Sequence, residues 1–410
     1  MRNIGIVGAG VAGLELGLYL QGHGIDTTIY TDRGPDQIRE GRLPSLVVRF
    51  DPTRQRERTL GVDHWNYADY GAFGIRMFIG SEPPLIWKGS FRAPASGVDM
   101  RIYQSTLLLD FAARGGAVVI GAVGARDVER LAARHDLMVV CAGRSELAEL
   151  FPRDPARSPY AEPQRWLTGG FFRGLALPES LRVNYTVSPG NGEIFQSPFT
   201  SFDGHVSCIL VEAIPGGGFD ALTHQRYEDD PKRFEGTLLE LLRRHARLIY
   251  EHVTPKEFGV TRPLDVLQGA ITPTVRHGYR ALGDGHALAL GDMHIINDPI
   301  VAQGANTASR CARLLGELLS QDTPIDEGFC RAAEAQLWQA SRAATEWTNA
   351  TLQPPPPHAL QVFAAAAESR EAADELCDNF GCPEQNWEIF GSPAGAAAFL
   401  ARHGRSLTPG

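Results

Sequence analysis

The stretch IGIVGAGVAGLELGLYLQGHGIDTTIYTDR, residues 4–33, places Gly8, Gly10 and Gly13 in the spacing GxGxxG, directly after an apolar run and at the opening of a helical pattern. In that context the spacing predicts a site that holds a pyrophosphate, the alternative being a merely structural turn. Gly8 permits the tight turn and Gly10, ahead of Ala12, lets main chain approach the phosphates. Gly13 lets the helix pack on the strand, with the helix N-terminus facing the negative charge. Where the next strand ends, a carboxylate would clamp a ribose through a charge-assisted bond worth about 1.5–3 kcal/mol. Here stands Thr31, followed by Asp32 and Arg33. A Thr hydroxyl gives less, and alternation along a strand points Asp32 to the other face. A second constellation lies in LALGDMHIINDPIVAQGANTASRCARLL, residues 288–315. Gly291-Asp292 ends an apolar run, Asp298-Pro299 forms a loop, and Gly304-Ala305-Asn306 opens a helix. A carboxylate there can accept hydroxyl donors, and the helix N-terminus can stabilise developing negative charge.

The elements that must bring these groups together are spread along the chain. Residues 4–7 read as a central parallel strand, 11–21 as a helix with Leu14 and Leu18 on one stripe, and 26–32 as the second strand of a βαβ-type unit. Two further apolar strands, 136–144 and 286–292, also end in Gly-rich turns, so one sheet is assembled from distant segments. Residues 171–215 differ in texture, with short β-rich runs split by Pro-Gly-Asn-Gly and Asp-Gly turns that predict antiparallel hairpins. Helix returns near Asp230-Pro231, and the chain from 307 onward is Ala-, Leu- and Glu-rich helix broken by PPPP at 354–357. The expected fold is α/β: a Rossmann-like dinucleotide domain from residues 1–170 and 268–326, an inserted β-sheet substrate domain at 171–267, and a helical region at 327–410.

The second constellation resembles that of p-hydroxybenzoate-hydroxylase-like flavoproteins, whose fold is of the glutathione reductase type. Their strand-end Gly-Asp serves the flavin ribityl hydroxyls, and their following helix N-terminus faces the pyrimidine edge. This resemblance implies FAD. The order GAGVAG, IYTDR, GRLPS, DMRIYQSTLLLDFAARGG, DLMVVCAGR, LALGD, NDPIVAQGANTAS, EWTNATL and ADELCDNFGCPEQNWEIFGSP is similar throughout to the epoxidase component of styrene and indole monooxygenases. The last two stretches are not general flavoprotein motifs. The resemblance implies a two-component enzyme, in which a separate NADH-dependent reductase makes reduced FAD that diffuses to this chain. Oxygen then gives a flavin hydroperoxide that epoxidises an electron-rich double bond. It also implies that Gly8, Gly10, Ala12 and Gly13 hold the pyrophosphate, with Thr31, Asp32 and Arg33 at the adenosine end. Arg42 and Gln104 approach the pyrophosphate and ribityl chain, Gly291 and Asp292 hold the ribityl, and Pro299, Gly304, Ala305 and Asn306 frame the isoalloxazine, mainly by backbone. Without the ribose carboxylate, oxidised FAD should be held weakly. The alternative is a single-component hydroxylase of the same fold taking hydride from NAD(P)H, although the chain carries no second GxGxxG.

For the substrate, loops carrying GRLPSLVVRF, YGAFGIRMF and FRAPAS should form the pocket, from Ser45, Val47, Arg49, Phe73, Ile75 and Ala95. Styrene-type members tend to show Asn, a Tyr/His pair and Ser across these stretches, and indole-type members Ser, an aliphatic pair and Ala. Ser45, Ile75 and Ala95 side with indole. Val47, Arg49 and Ala72 depart from that pattern, and Arg49 is the awkward one, since a guanidinium beside an apolar substrate needs an anionic partner. It is expected to point into solvent, the alternative being a carboxylated indole.

Composition sets the outer limits. A chain of 410 residues with 43% apolar and 21% charged residues is an ordinary globular protein large enough for several modules. A net charge of −9 argues against nucleic acid or an anionic membrane as partner. With no long apolar run, no leader-like segment and six scattered cysteines, the expectation is a cytoplasmic protein with reduced thiols. No metal-ligand constellation is read from His245 and His252, seven residues apart, because no carboxylate completes one. GRSEL at 143–147 is not a GxSxG elbow, and no WxWxIP halogenase motif occurs. A homodimer is among the assemblies the C-terminal helices could support.

Overall fold

The computed structural model describes residues 2–408 except 66 and 144. In chain order the strands are β1 (Asn3–Val7), β2 (Asp26–Thr31), β3 (Val48–Arg49), β4 (Ala72–Ile79), β5 (Leu85–Gly97), β6 (Ala117–Ile120), β7 (Leu137–Val140), β8 (Trp166–Arg173), β9 (Val183–Ser188), β10 (Gly192–Ser201), β11 (Gly204–Ala213), β12 (Gly259–Val260), β13 (Val266–Ala270), β14 (Thr274–Val275), β15 (Tyr279–Leu282), β16 (Gly285–Ala289) and β17 (Ile295–Ile296). The first sheet has the order β15-β16-β7-β1-β2-β6, parallel except at β15. The central strands β1 and β7 read as continuous apolar runs because helices cover both faces. Helices Val11–Gly22, Met100–Ala113 and Gly304–Leu319 pack on one face through Leu14, Leu18, Leu107, Phe111 and Leu315. Val128, Leu131, Leu147 and Phe151 cover the other.

The second sheet runs β12-β8-β11-β10-β9-β4-β5-β3, with β13 also on β8. Its alternation divides two duties. On β10 and β11, Ile194, Ile209 and Val211 face helix Pro231–His245 and its Leu238 and Leu242, while Phe195, Ser197, Phe199, Cys208 and Leu210 face an internal cavity. Asp230 caps that helix, its carboxylate accepting from the Arg233 amide. The helix ends at His245, so His252 does not share a face with it.

The sheet is not confined to residues 171–267. β4 and β5 join it, β4 lying parallel beside β9, so a segment expected to belong to the dinucleotide part builds the substrate side instead. Glycines made these strands read as loops, and their cause is close approach. A Cβ at Gly89 would lie 2.2 Å from the Ala373 carbonyl oxygen, where the C-terminal helices pack on the sheet.

Candidate active site

The three glycines at the end of β1 have separate duties. Gly8 sits at φ +112°, open to glycine and strained for other residues, and donates its N–H to the Tyr30 carbonyl at 2.8 Å. Gly13 is a contact glycine, since a Cβ there would stand 2.0 Å from the Gly8 carbonyl oxygen. Gly10 is different: a Cβ would meet nothing within 4 Å. The space beside it opens into the cavity, which Gly10 and Ala12 line. Gly10 is also the N-cap of helix Val11–Gly22 and supplies no side-chain cap, so the first amides face that space.

At the strand end, Thr31 is buried and its hydroxyl is turned back on the main chain, donating to the Arg33 carbonyl at 3.1 Å and accepting from the Arg33 amide at 3.4 Å. The Asp32 and Arg33 side chains lie 3.6 Å apart near the surface. Arg42 does not reach the cavity. It is exposed and pairs with Glu228 at 2.8 Å. Gln104 does line it.

The opposite rim is built from the turn after β16. Gly291 and Asp292 line the cavity, and the exposed surface of Asp292 faces into it. Burial by the surrounding chain raises this carboxyl above the ordinary range. The neighbouring Asn297 also lines the cavity, and its Oδ1 is buried without a partner. Pro299–Val301 form a 3₁₀ turn capped by Asp298, and Ala302 follows at φ +54°, a strained setting for a residue with a Cβ. Helix Gly304–Leu319 then begins without a side-chain cap, leaving the amides of Gly304 and Ala305 toward the cavity. Asn306 is not in the wall. Its side chain accepts from Phe50 N (3.0 Å) and Thr53 Oγ1 (2.7 Å) and donates to the Val48 (2.9 Å) and Ala302 (2.7 Å) carbonyls, fastening this helix to the segment after β3. Two uncapped helix N-termini, the unfilled space at Gly10, a carboxyl facing inward and an orphaned amide oxygen fit FAD.

Between these rims lies a cavity of about 410 Å³, within the range of small-molecule sites. Ser45, Val47 and Ile75 line it as expected. Ile75 lies on β4, not in a loop. Phe73 and Ala95 do not line it: a register shift between Ala72 and Gly74 separates Phe73 from the alternation of Ile75, and Ala95 pairs with Ala72. Arg49 corrects a further expectation. It is fully buried, with Nε 2.6 Å from Glu57 and donors to Tyr67 Oη (2.8 Å) and Ser96 Oγ (3.1 Å), and it lies over the Tyr103 ring at 4.4 Å. Its anion is internal, so it neither points to solvent nor waits for a substrate carboxylate.

The larger part of the wall was missed from sequence: Tyr185, Phe195, Ser197, Phe199, Cys208, Leu210, Leu267, Phe91 and Phe380. The available signal was period-two alternation, with Phe195 opposite both Tyr185 and Leu210. Asp292, Tyr185 and the thiols of Cys141 and Cys208 are the titratable side chains in the wall among the described residues, and burial pushes both thiols up. All six cysteines are free.

Over 98% of its length the chain superposes on 99% of a flavoprotein/dehydrogenase from Cytophaga hutchinsonii with a TM-score of 0.69 at 14% identity, a likeness of fold. Residues 143–252 match the family model "Styrene monooxygenase A putative substrate binding domain". The protein is a flavin-dependent monooxygenase that takes FAD. Two relatives make this particular: styrene monooxygenase StyA of Pseudomonas fluorescens, 38% identical over 96% of both chains, and styrene monooxygenase StyA of a Pseudomonas species, 39% identical over 96% of both. The chain belongs to the styrene monooxygenase family. Among the described residues no helix is long and apolar enough to cross a membrane, and no metal-binding cluster occurs.

Proposed function

We propose that this chain is the epoxidase of a two-component system: it receives reduced FAD from a separate NADH-dependent reductase and, with O2, converts indole in preference to styrene into its epoxide. The cavity carries this reading, because its walls are largely apolar and, among the described residues, no acid–base pair lines it. Reduced FAD, when bound, activates O2 and supplies the electrophilic oxygen atom. The chain does the rest. Amides after Gly8 and Gly10 hold the pyrophosphate, Gln104 and Asp292 hold the ribityl hydroxyls, and the amides of Gly304 and Ala305 face the pyrimidine edge, with Pro299 beside it. The aromatic and aliphatic face of β9, β10 and β11 keeps water away from the reacting atoms. Ser45 can accept the indole N–H, a handle styrene lacks, and Ile75 supplies an aliphatic contact. Arg42, committed to Glu228, is left out of this assignment.

Thr31 supports the expectation on cofactor exchange. Its hydroxyl is occupied by its own turn, so oxidised FAD lacks the ribose clamp and should leave readily. The test is turnover of indole against styrene with reduced FAD and O2 supplied. Faster indole oxidation with blue pigment is expected, and markedly faster styrene epoxidation overturns the pocket assignment. NADH consumption by the purified chain without a reductase overturns the two-component reading.

A further inference from the structure

Beside the cavity, and outside the mechanism above, lies a cluster of acidic groups in the protein interior. Glu212 of β11 and Glu193 of β10 are direct cross-strand partners on the cavity-side face of the sheet. Asp298 comes to them from the turn that precedes the helix facing the flavin. Glu212 and Asp298 are 0% exposed and Glu193 is 5% exposed. Among the described residues one cation answers them: Arg165 reaches Glu193 with Nε–Oε2 at 2.7 Å and Nη2–Oε1 at 3.1 Å. That pairing satisfies Glu193. Both oxygens of Glu212 and Oδ2 of Asp298 have no donor, yet the two side chains are within hydrogen-bonding reach of each other. Two carboxylates cannot bond; a carboxylic acid and a carboxylate can.

We propose that Glu212 is a positioning residue that pins the 297–303 turn to the substrate sheet by sharing one proton with Asp298. Besides the apolar packing of Ile300 and Val301, two side-chain hydrogen bonds hold the turn among the described residues, Gln303 Nε2 to the Phe380 carbonyl at 3.0 Å and Asn306 Nδ2 to the Ala302 carbonyl at 2.7 Å. Neither ties it to β11. Asp298 is suited to the link because its other oxygen, Oδ1, already accepts from the Ile300 amide at 3.1 Å, so the side chain is fixed relative to the turn. Protein around both groups disfavours their ionised forms, and Glu193 opposes ionisation of Glu212 further. The remaining neighbours do not titrate against them: Arg165 stays charged, and the Tyr185 hydroxyl is pushed well above its ordinary value by burial. A pair with a raised affinity for its proton contributes stability that is present at low pH and lost as pH rises through its folded value. The pin therefore loosens on the alkaline side.

This proposal rests on the reading that the turn frames the flavin, and the test has one arm that does not. The first arm measures thermal unfolding of the flavin-free protein between about pH 5 and pH 9 for wild type, Glu212→Gln and Asp298→Asn. A Gln amide donates to Asp298 without a titrating proton, so the share of the stability loss toward high pH that comes from the pair should be absent in Glu212→Gln and in Asp298→Asn, leaving a shallower decline from the other raised carboxyls. The second arm titrates oxidised FAD by flavin fluorescence over the same range. Wild-type affinity should fall by about tenfold on the alkaline side, the effect of one buried hydrogen bond lost, and Glu212→Gln should hold its affinity. Glu212→Leu, which keeps the volume and removes the link, should bind weakly at every pH. Identical pH profiles for wild type and Glu212→Gln in both arms overturn the shared proton. A flattened stability profile with unchanged FAD profiles overturns the positioning role. Failure of wild type to bind FAD at any pH counts against the functional reading, while the first arm still decides the pair.

Discussion

The dinucleotide half and the substrate half of this molecule are built from different materials. The dinucleotide rim uses main chain from two short local segments: the uncapped helix N-terminus with a glycine beside open space at Gly10, and the turn at positive φ with the second helix N-terminus at residues 302–304. The substrate wall uses side chains from several strands, brought to one face by pairing of the distant β4 with β9 and of β10 with its hairpin partner β11. A backbone site tolerates few residue types at each position and changes abruptly when one is altered. A side-chain wall can be retuned in small steps.

Arg49 joins the halves, and its loss should give the largest effect. Arg49→Met leaves Glu57 buried without its cation, beside Glu15, which burial and Glu57 already raise to about 7. Chemical denaturation should show a loss of about 3–5 kcal/mol. Within the dinucleotide half, Gly13→Val should destabilise by about 1–3 kcal/mol through overpacking against the Gly8 carbonyl. Gly10→Ala should leave stability within about 0.5 kcal/mol while weakening FAD binding about tenfold. If both glycines behave alike, the separation of packing from binding fails.

Asp292→Asn should also weaken oxidised FAD about tenfold, the value of a charge-assisted bond. It should not lower the stability of the flavin-free protein. The folded carboxyl is raised, so wild type loses stability as pH rises from the ordinary carboxylate range through the raised value, and Asn lacks that loss. Unfolding curves at acid and neutral pH distinguish the two. The smallest change belongs to the substrate wall, where Ile75→Ala should shift the ratio of indole to styrene turnover by about tenfold and leave FAD affinity unchanged.

The same contrast explains what could be read from sequence. The glycine turn, Asp292 and the Gly304–Leu319 helix were legible because each is a local pattern with one physical purpose. Tyr185, Phe195 and Leu210 were not, since only strand register reveals that they meet. Arg49 was misread although Glu57 lies eight residues on, because nothing local shows that Tyr67, Tyr103 and Ser96 close around it. Arg42 was misplaced for a similar reason: its acid, Glu228, comes from the substrate domain.

The two thiols in the cavity wall have a bearing on durability. Epoxides alkylate sulfur, and peroxide oxidises it, in both cases chiefly through the thiolate. By holding Cys141 and Cys208 as thiols, the interior keeps the sulfur in its cavity wall poorly nucleophilic, so an epoxide formed within these walls would meet no thiolate to alkylate.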